Sequence, residues 1–289
     1  MEKERVVESA SVKEEQQKLW NAPACAWVEA QELLDQLFKP FEELLTDAVA
    51  ADRATAVLDV GCGTGATTLA AARRLGAGSR CVGIDISGPM IEFARARAQR
   101  EGSSAEFIQA DAEDFPFEAS SFDAIISRFG VMFFADSVRA FANLRRATKP
   151  GGTLRFIAWR DCSENPFMTA AERAAAPLLP NIPPRRSEGP GQFAFADRER
   201  VQRILQQSGW TDIDISPIDV PCAFPERALS RYMTRFGPLG QVLQEADEPT
   251  RKRVVEAVRA AYEPYVHGPE VRFTAACWLA AANSGDKRV

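Results

Sequence analysis

Between residues 56 and 160, short apolar runs alternate with stretches of helical composition at 64–75, 88–101 and 137–147. That alternation predicts βα units and a parallel sheet covered on both faces, an α/β fold. Upstream, Leu33, Leu34, Leu37, Phe38, Phe41, Leu44 and Leu45 recur at helical spacing, with Pro40 among them. The chain is therefore expected to begin with helices that kink or break at Pro40. Residues 160–196, rich in proline and glycine and carrying Arg185-Arg186, predict a loop with one short helix. Asp197 then reads as the N-cap of a helix over 198–208, Gly209 as its C-cap, and Trp210 to Ser216 as a strand. Two further apolar stripes follow: Leu229, Tyr232, Met233, Phe236, Leu239 and Leu243, then Val254, Val258, Ala261, Tyr262 and Tyr265, which starts just after Pro249. A last strand is expected from about Val271 to Ala281.

Within this pattern, residues 57–65 read Val-Leu-Asp-Val-Gly-Cys-Gly-Thr-Gly. An apolar run that ends in three alternating glycines and opens into a helix is a strand, a turn and a helix. Glycine suits a turn that needs permissive φ values, and its missing Cβ at Gly61 and Gly63 would let a ligand come close to the main chain. About twenty residues on, the strand Cys81 to Ile84 ends in Asp85, placed to accept hydrogen bonds from the two hydroxyls of a ribose. Ligands of such sheets sit at the carboxyl ends of the strands, where Gly61, Asp85, Asp111 and Ser127 all fall.

These blocks resemble motif I and the following motifs of the class I S-adenosylmethionine-dependent methyltransferases, and among them the quinone-biosynthesis group. The resemblance rests on the glycine turn, Asp85, Gln109-Ala110-Asp111-Ala112-Glu113, Ser121 to Ser127, and Lys149-Pro150-Gly151-Gly152-Thr153 before the fifth strand. It implies a Rossmann-like, doubly wound, mainly parallel seven-stranded sheet with an antiparallel last strand, N-terminal helices and a helical cap inserted late. The implied segments are an N-terminal helical lid (1–50), a cofactor-binding core (51–160), an inserted loop of the cap (161–196), core again (197–216), a helical cap (217–268), and the last core strand and tail (269–289). It also implies S-adenosyl-L-methionine as cofactor, released as S-adenosyl-L-homocysteine. The expected donor contacts are Asp59, Gly61, Cys62, Gly63, Asp85, Ile86, Met90, Asp111, Ala112, Ser127 and Arg128. Of these, Asp111 would face the adenine amino group and Ile86 the adenine or ribose face. In similar proteins the N-terminal segment folds over cofactor and acceptor. Trp20 and Trp27, with Phe133, Trp159 and Phe236, are accordingly expected at the lid or acceptor pocket.

Composition narrows the partners. The formal net charge is −5, which disfavours holding a phosphate backbone, so a nucleic acid acceptor is not expected. After the fourth strand the chain also has Ser127-Arg128-Phe129-Gly130, where base methyltransferases of this fold carry Asn or Asp followed by Pro-Pro. The same positions lack the hard oxygen ligands of the magnesium-dependent members, and no zinc spacing occurs, so no metal is expected. Six cysteines without a C-x-x-C pair, an acidic N-terminus and no apolar run near 20 residues predict a cytoplasmic protein without a membrane span. A homodimer is a possible assembly.

Methyl transfer from a sulfonium is an in-line displacement that depends mainly on alignment and exclusion of water, so a chain with one histidine can carry it. His267, with an ordinary pKa near neutrality, is the candidate general base, and Tyr265 a weaker one, since its helical spacing is more simply explained by core packing. Arg128 could hold an anionic group of either ligand or pair with Asp136. The leading expectation is methyl transfer to a small, largely apolar acceptor through an O, C, N or S nucleophile. Two alternatives stay open. One is an NAD(P)-dependent oxidoreductase, since the glycines plus Asp85 also resemble a dinucleotide fingerprint; the other is a methyltransferase-like protein that uses the cofactor for binding or a non-methylating reaction.

Overall fold

The computed structural model describes residues 20–21, 24–183, 189–235 and 237–285. Its centre is a sheet of order β3-β2-β1-β4-β5-β8-β6. The parallel part comprises β1 (Ala56–Val60), β2 (Arg80–Asp85), β3 (Glu106–Gln109), β4 (Phe122–Arg128) and β5 (Thr148–Trp159). β8 (Glu270–Asn283) runs antiparallel to β5, and β6 (Thr211–Pro225) antiparallel to β8. A two-residue strand, β7 (Val266–His267), pairs with β8 off this path. The seven-strand order with a reversed β8 is the Rossmann-like arrangement implied by the sequence motifs.

Helices cover both faces: α1 (Ala24–Glu29), α2 (Gln31–Ala51), α3 (Ala66–Leu75), α4 (Gly88–Glu101), α5 (Ser137–Ala147), α6 (Pro166–Ala175) and α7 (Arg198–Gln207). α8 (Leu229–Arg235), α9 (Gly237–Glu245) and α10 (Glu248–Tyr262) form the late cap. No described helix is long and apolar enough to cross a membrane.

Three expectations need correction. α2 runs unbroken through Pro40 for 21 residues. A mid-helix proline costs about 3 kcal/mol, but Leu34, Leu37 and Phe38 before it and Phe41, Leu45 and Val49 after it are all buried. Burial of those six side chains offsets the lost hydrogen bond; Leu44, off this stripe, is exposed. Helix α3 begins at Ala66 rather than Thr64, because Gly65 caps it in a left-handed conformation, φ 85°. The strand expected to stop at Ser216 continues to Pro225, through the first part of the segment expected as helical cap. Pro217, Pro221 and Pro225 lie within it and recur every fourth residue, so their nitrogens face the same side of an edge strand. On its unpaired side no ladder bond is lost.

That extension positions the cap. Trp159, the last residue of β5, is opposite Cys277, so residues 270–276 of β8 lie beyond the β5 ladder and pair with β6, with β7 added at Glu270 and Val271. At a rise of about 3.4 Å per residue, this ribbon projects roughly 20 Å beyond the carboxyl end of β5. The cap packs on it through Phe167 of α6, which stacks on Phe273 at 3.8 Å and meets Phe224, Tyr232, Tyr262 and Tyr265 at 5.0–6.3 Å. Asn165, buried just before α6, fixes it: its amide donates to the Ala276 carbonyl at 3.0 Å and its oxygen accepts the Ala276 N–H at 2.9 Å. A helical cap is thereby held past the strand ends where ligands of α/β sheets collect.

Candidate functional site

The strand order places β1 between β2 and β4, so the chain leaves β1 at the switch point of the sheet. The glycines of the exit do different jobs. A Cβ on Gly61 (φ 69°) would stand 2.5 Å from the Gly130 Cα, and one on Gly130 only 2.4 Å from the Val60 carbonyl oxygen. The close approach of two backbones is thus enough to require glycine at position 61. A Cβ on Gly65 would meet the Phe107 ring at 2.9 Å. Gly63 alone of the three has space before it: φ is 54° and the nearest atom to an added Cβ is the Met90 Sδ at 3.8 Å.

Asp85 borders that space. Its Oδ2 accepts the Gly63 N–H at 2.8 Å and its Oδ1 the Ser87 N–H at 2.9 Å. A carboxylate offers about four acceptor positions, so two remain for ligand hydroxyls. Burial pushes the Asp85 carboxyl up, against the pull of those backbone N–H groups. Asp59, also buried, accepts from Thr68 Oγ1 at 2.7 Å, and burial raises its pKa to about 6. Cys62 points inward, its sulfur beside Gly83, with burial holding the thiol well above its usual range. Ile86 is half-buried and Met90 buried.

On the β3 side, Asp111 Oδ1 accepts the Glu113 N–H at 2.9 Å and Ala112 is buried. Buried Glu113 ties this turn to α5, accepting from Asp136 N at 3.0 Å and pairing with Arg139. Ser127, at the end of β4, has its hydroxyl engaged within the fold. Its hydroxyl donates to the Val60 carbonyl at 2.7 Å and accepts the N–H groups of Gly130 and Val131, so its side chain shapes the β4 exit. Arg128 does not pair with Asp136, which caps α5 through the Arg139 N–H. The guanidinium lies instead 5.4 Å over the Phe38 ring.

Trp20 touches Trp27 edge-on at 5.9 Å and Phe133 at 4.8 Å, and Asn21 accepts from Ser87 Oγ at 3.1 Å. The start of the described chain therefore spans the exits of β2 and β4. Trp159 is buried, stacked on Phe129 at 4.5 Å and 8°, with Phe41 at its edge. Phe129 (φ 65°), given no packing role by the sequence beyond its place after the fourth strand, thereby links β4 to β5 beside the turn. Phe236 lies outside the described residues. His267 is exposed and paired with Glu270 at the outer end of the projecting ribbon, and Tyr265 packs on Phe167 and Tyr262 within the cap. The register thus sets both apart from the glycine turn.

Residues 57–152 match the family described as a methyltransferase domain. Demethylmenaquinone methyltransferase of Renibacterium salmoninarum is 30% identical over 181 residues, 60% of this chain and 73% of that protein. Nocamycin O-methyltransferase of Saccharothrix syringae is 34% identical over 231 residues, 77% of this chain and 82% of that protein. Among solved structures, the YcgJ protein of Bacillus subtilis superposes with a TM-score of 0.55 at 18% identity, covering 85% of this chain and 98% of that one, which shows a shared fold.

Proposed function

The chain belongs to the class I S-adenosylmethionine-dependent methyltransferases, and we propose that its acceptor is a small, largely apolar molecule bound under the projecting cap and methylated without a metal. Membership sets aside the nicotinamide alternative. The observation that carries the donor assignment is the open space at Gly63 bordered by the partly unsatisfied Asp85 carboxylate.

The residues present fit the cofactor. Asp85 has acceptor capacity for two ribose hydroxyls, Gly63 admits close approach, Met90 and Ile86 supply apolar walls, and the turn at Asp111 and Ala112 lies next along the sheet toward β3. When bound, S-adenosylmethionine supplies a sulfonium methyl open to in-line attack. The chain's own part is to orient and to dry the site. Trp20, Trp27 and Phe133 spread apolar rings over the strand ends, and the β6–β8 ribbon holds the α6 and α8–α10 cap beyond them. At the end of β4, Arg128 would repel a divalent cation, and the Ser127 hydroxyl is already engaged, which supports metal-free transfer. An acidic net charge and an aromatic-rich cap favour an apolar metabolite over a nucleic acid.

The test is a screen with methyl-labelled donor against small apolar phenols, acids, amines and thiols, run beside transfer RNA and protein acceptors. Label entering only the small molecules supports the proposal. Label entering only a macromolecule overturns it.

A further inference from the structure

Helix α8 packs an apolar side into the cap and leaves a basic side at its rim. Leu229 and Met233 are buried, and the half-buried Tyr232 ring meets Phe167 and Phe224. Arg231 and Arg235, one helical turn apart, reach α1 instead: Arg231 Nη2 lies 3.5 Å and Arg235 Nη1 3.9 Å from Glu29 Oε2. Arg227, exposed and four residues earlier, continues the spacing. Two guanidiniums thus share one carboxylate oxygen, and both distances exceed the roughly 2.7–2.9 Å of a charge-assisted hydrogen bond. All three side chains are about half exposed, so the contact is screened and weak, and the guanidinium N–H donors stay open to a better-placed acceptor.

The place of this contact gives it a use. Glu29 ends α1 two residues after Trp27, whose ring reaches Phe133 at the β4 exit through Trp20. The start of the described chain and the late cap therefore meet at these charges, and among the described residues no other ion pair joins α1 to the cap. A molecule that enters between the two covers with its reacting end toward the strand ends leaves its trailing end at this seam. We infer that Arg231 and Arg235 receive a carboxylate at the trailing end of the acceptor, which displaces Glu29, so that the preferred substrates are apolar carboxylic acids. This rests on the acceptor reading proposed above. The anion class follows from the group the arginine pair already holds, a carboxylate, and the apolar body from the rings packed behind it. With a net charge of −5 the surface as a whole repels such an acid, which makes a local arginine pair the means of admitting it.

The experiment is calorimetric titration of the protein saturated with S-adenosylhomocysteine, using octanoate and octanol, probes that share a chain and differ in the end group. Wild type should prefer octanoate by about fivefold at low salt, the scale of a half-exposed charge contact, and the preference should fade as salt rises. The double variant Arg231→Gln with Arg235→Gln should lose the preference and keep its octanol affinity. Glu29→Gln, which removes the competing carboxylate, should raise octanoate affinity by about two- to threefold and leave octanol alone. Equal binding of the two probes by wild type overturns the inference and leaves the acceptor pocket standing, and it does so even if a variant fails to fold. A preference that survives in the double variant, or one that does not grow in Glu29→Gln, also overturns it. Wild type binding neither probe would instead remove the apolar pocket under the cap and the inference with it.

Discussion

Gly61 and Gly63 stand two residues apart in one turn, and replacing each with alanine should give opposite failures. Both have left-handed φ values, 69° and 54°, where a Cβ costs roughly 1–2 kcal/mol. At Gly61 the new Cβ also falls 2.5 Å from the Gly130 Cα. Neither atom belongs to a rotatable side chain, so the exits of β1 and β4 must move apart, at an overpacking cost of typically 1–3 kcal/mol. Gly61→Ala should therefore lose about 2–5 kcal/mol, which at about 2–4 °C per kcal/mol lowers Tm by roughly 5–20 °C. At Gly63 the Cβ meets only the Met90 Sδ, at 3.8 Å, an ordinary contact. Gly63→Ala should lose only the conformational cost, a few degrees, but its methyl occupies the space proposed for the donor. Affinity for S-adenosylhomocysteine should fall at least about tenfold, or 1.4 kcal/mol. Thermal unfolding without ligand and calorimetric titration separate the two. Wild-type affinity in Gly63→Ala would refute the close-approach argument, and a wild-type melting temperature in Gly61→Ala would refute the backbone-contact argument.

Turnover should survive exhaustive chelation, since the β4 end presents a cation of its own; loss of activity with EDTA that magnesium restores would overturn metal-free transfer. Tyr265→Ala should raise the acceptor KM or lower kcat while leaving S-adenosylhomocysteine affinity near normal, if the cap seats the acceptor; unchanged acceptor kinetics would assign the ring to its contacts with Phe167 and Tyr262 alone. Asp59, with its folded pKa raised to about 6 from an ordinary 3.8, destabilises the ligand-free protein when ionised. Because the folded pKa is the higher one, that cost is present above about pH 6 and relieved as pH falls toward 4. Asp59→Asn should therefore gain stability over wild type at pH 7.5 and lose the gain near pH 4, read as the difference in Tm; a pH-independent difference would refute it.

The sequence by itself determined the βα alternation, the glycine turn, the acid at Asp85 and the apolar stripes of the cap, because these depend on local periodicity and on backbone conformations that few residues tolerate. Even a long-range pairing such as the antiparallel β8 was implied by the family motifs. Only the tertiary structure decided the rest. The helix through Pro40 survives because residues on both sides of it are buried against distant elements. The prolines of β6 sit in a strand because that strand is an edge, which no local window reveals. Gly61 answers to Gly130, 69 residues away in the sequence, and Ser127 is spent on the Val60 carbonyl, 67 residues away. His267 carried the right chemistry for a base, yet the β7–β8 register sets it at the far end of a ribbon. For Arg128 the sequence left open a ligand's anionic group or a pair with Asp136, and the fold instead set its guanidinium over Phe38 with Nη1 buried and unpartnered. Residue type limits what a side chain can do, but burial and the identity of its neighbours, set by contacts between remote segments, decide whether that capacity is spent on the fold or left for a ligand.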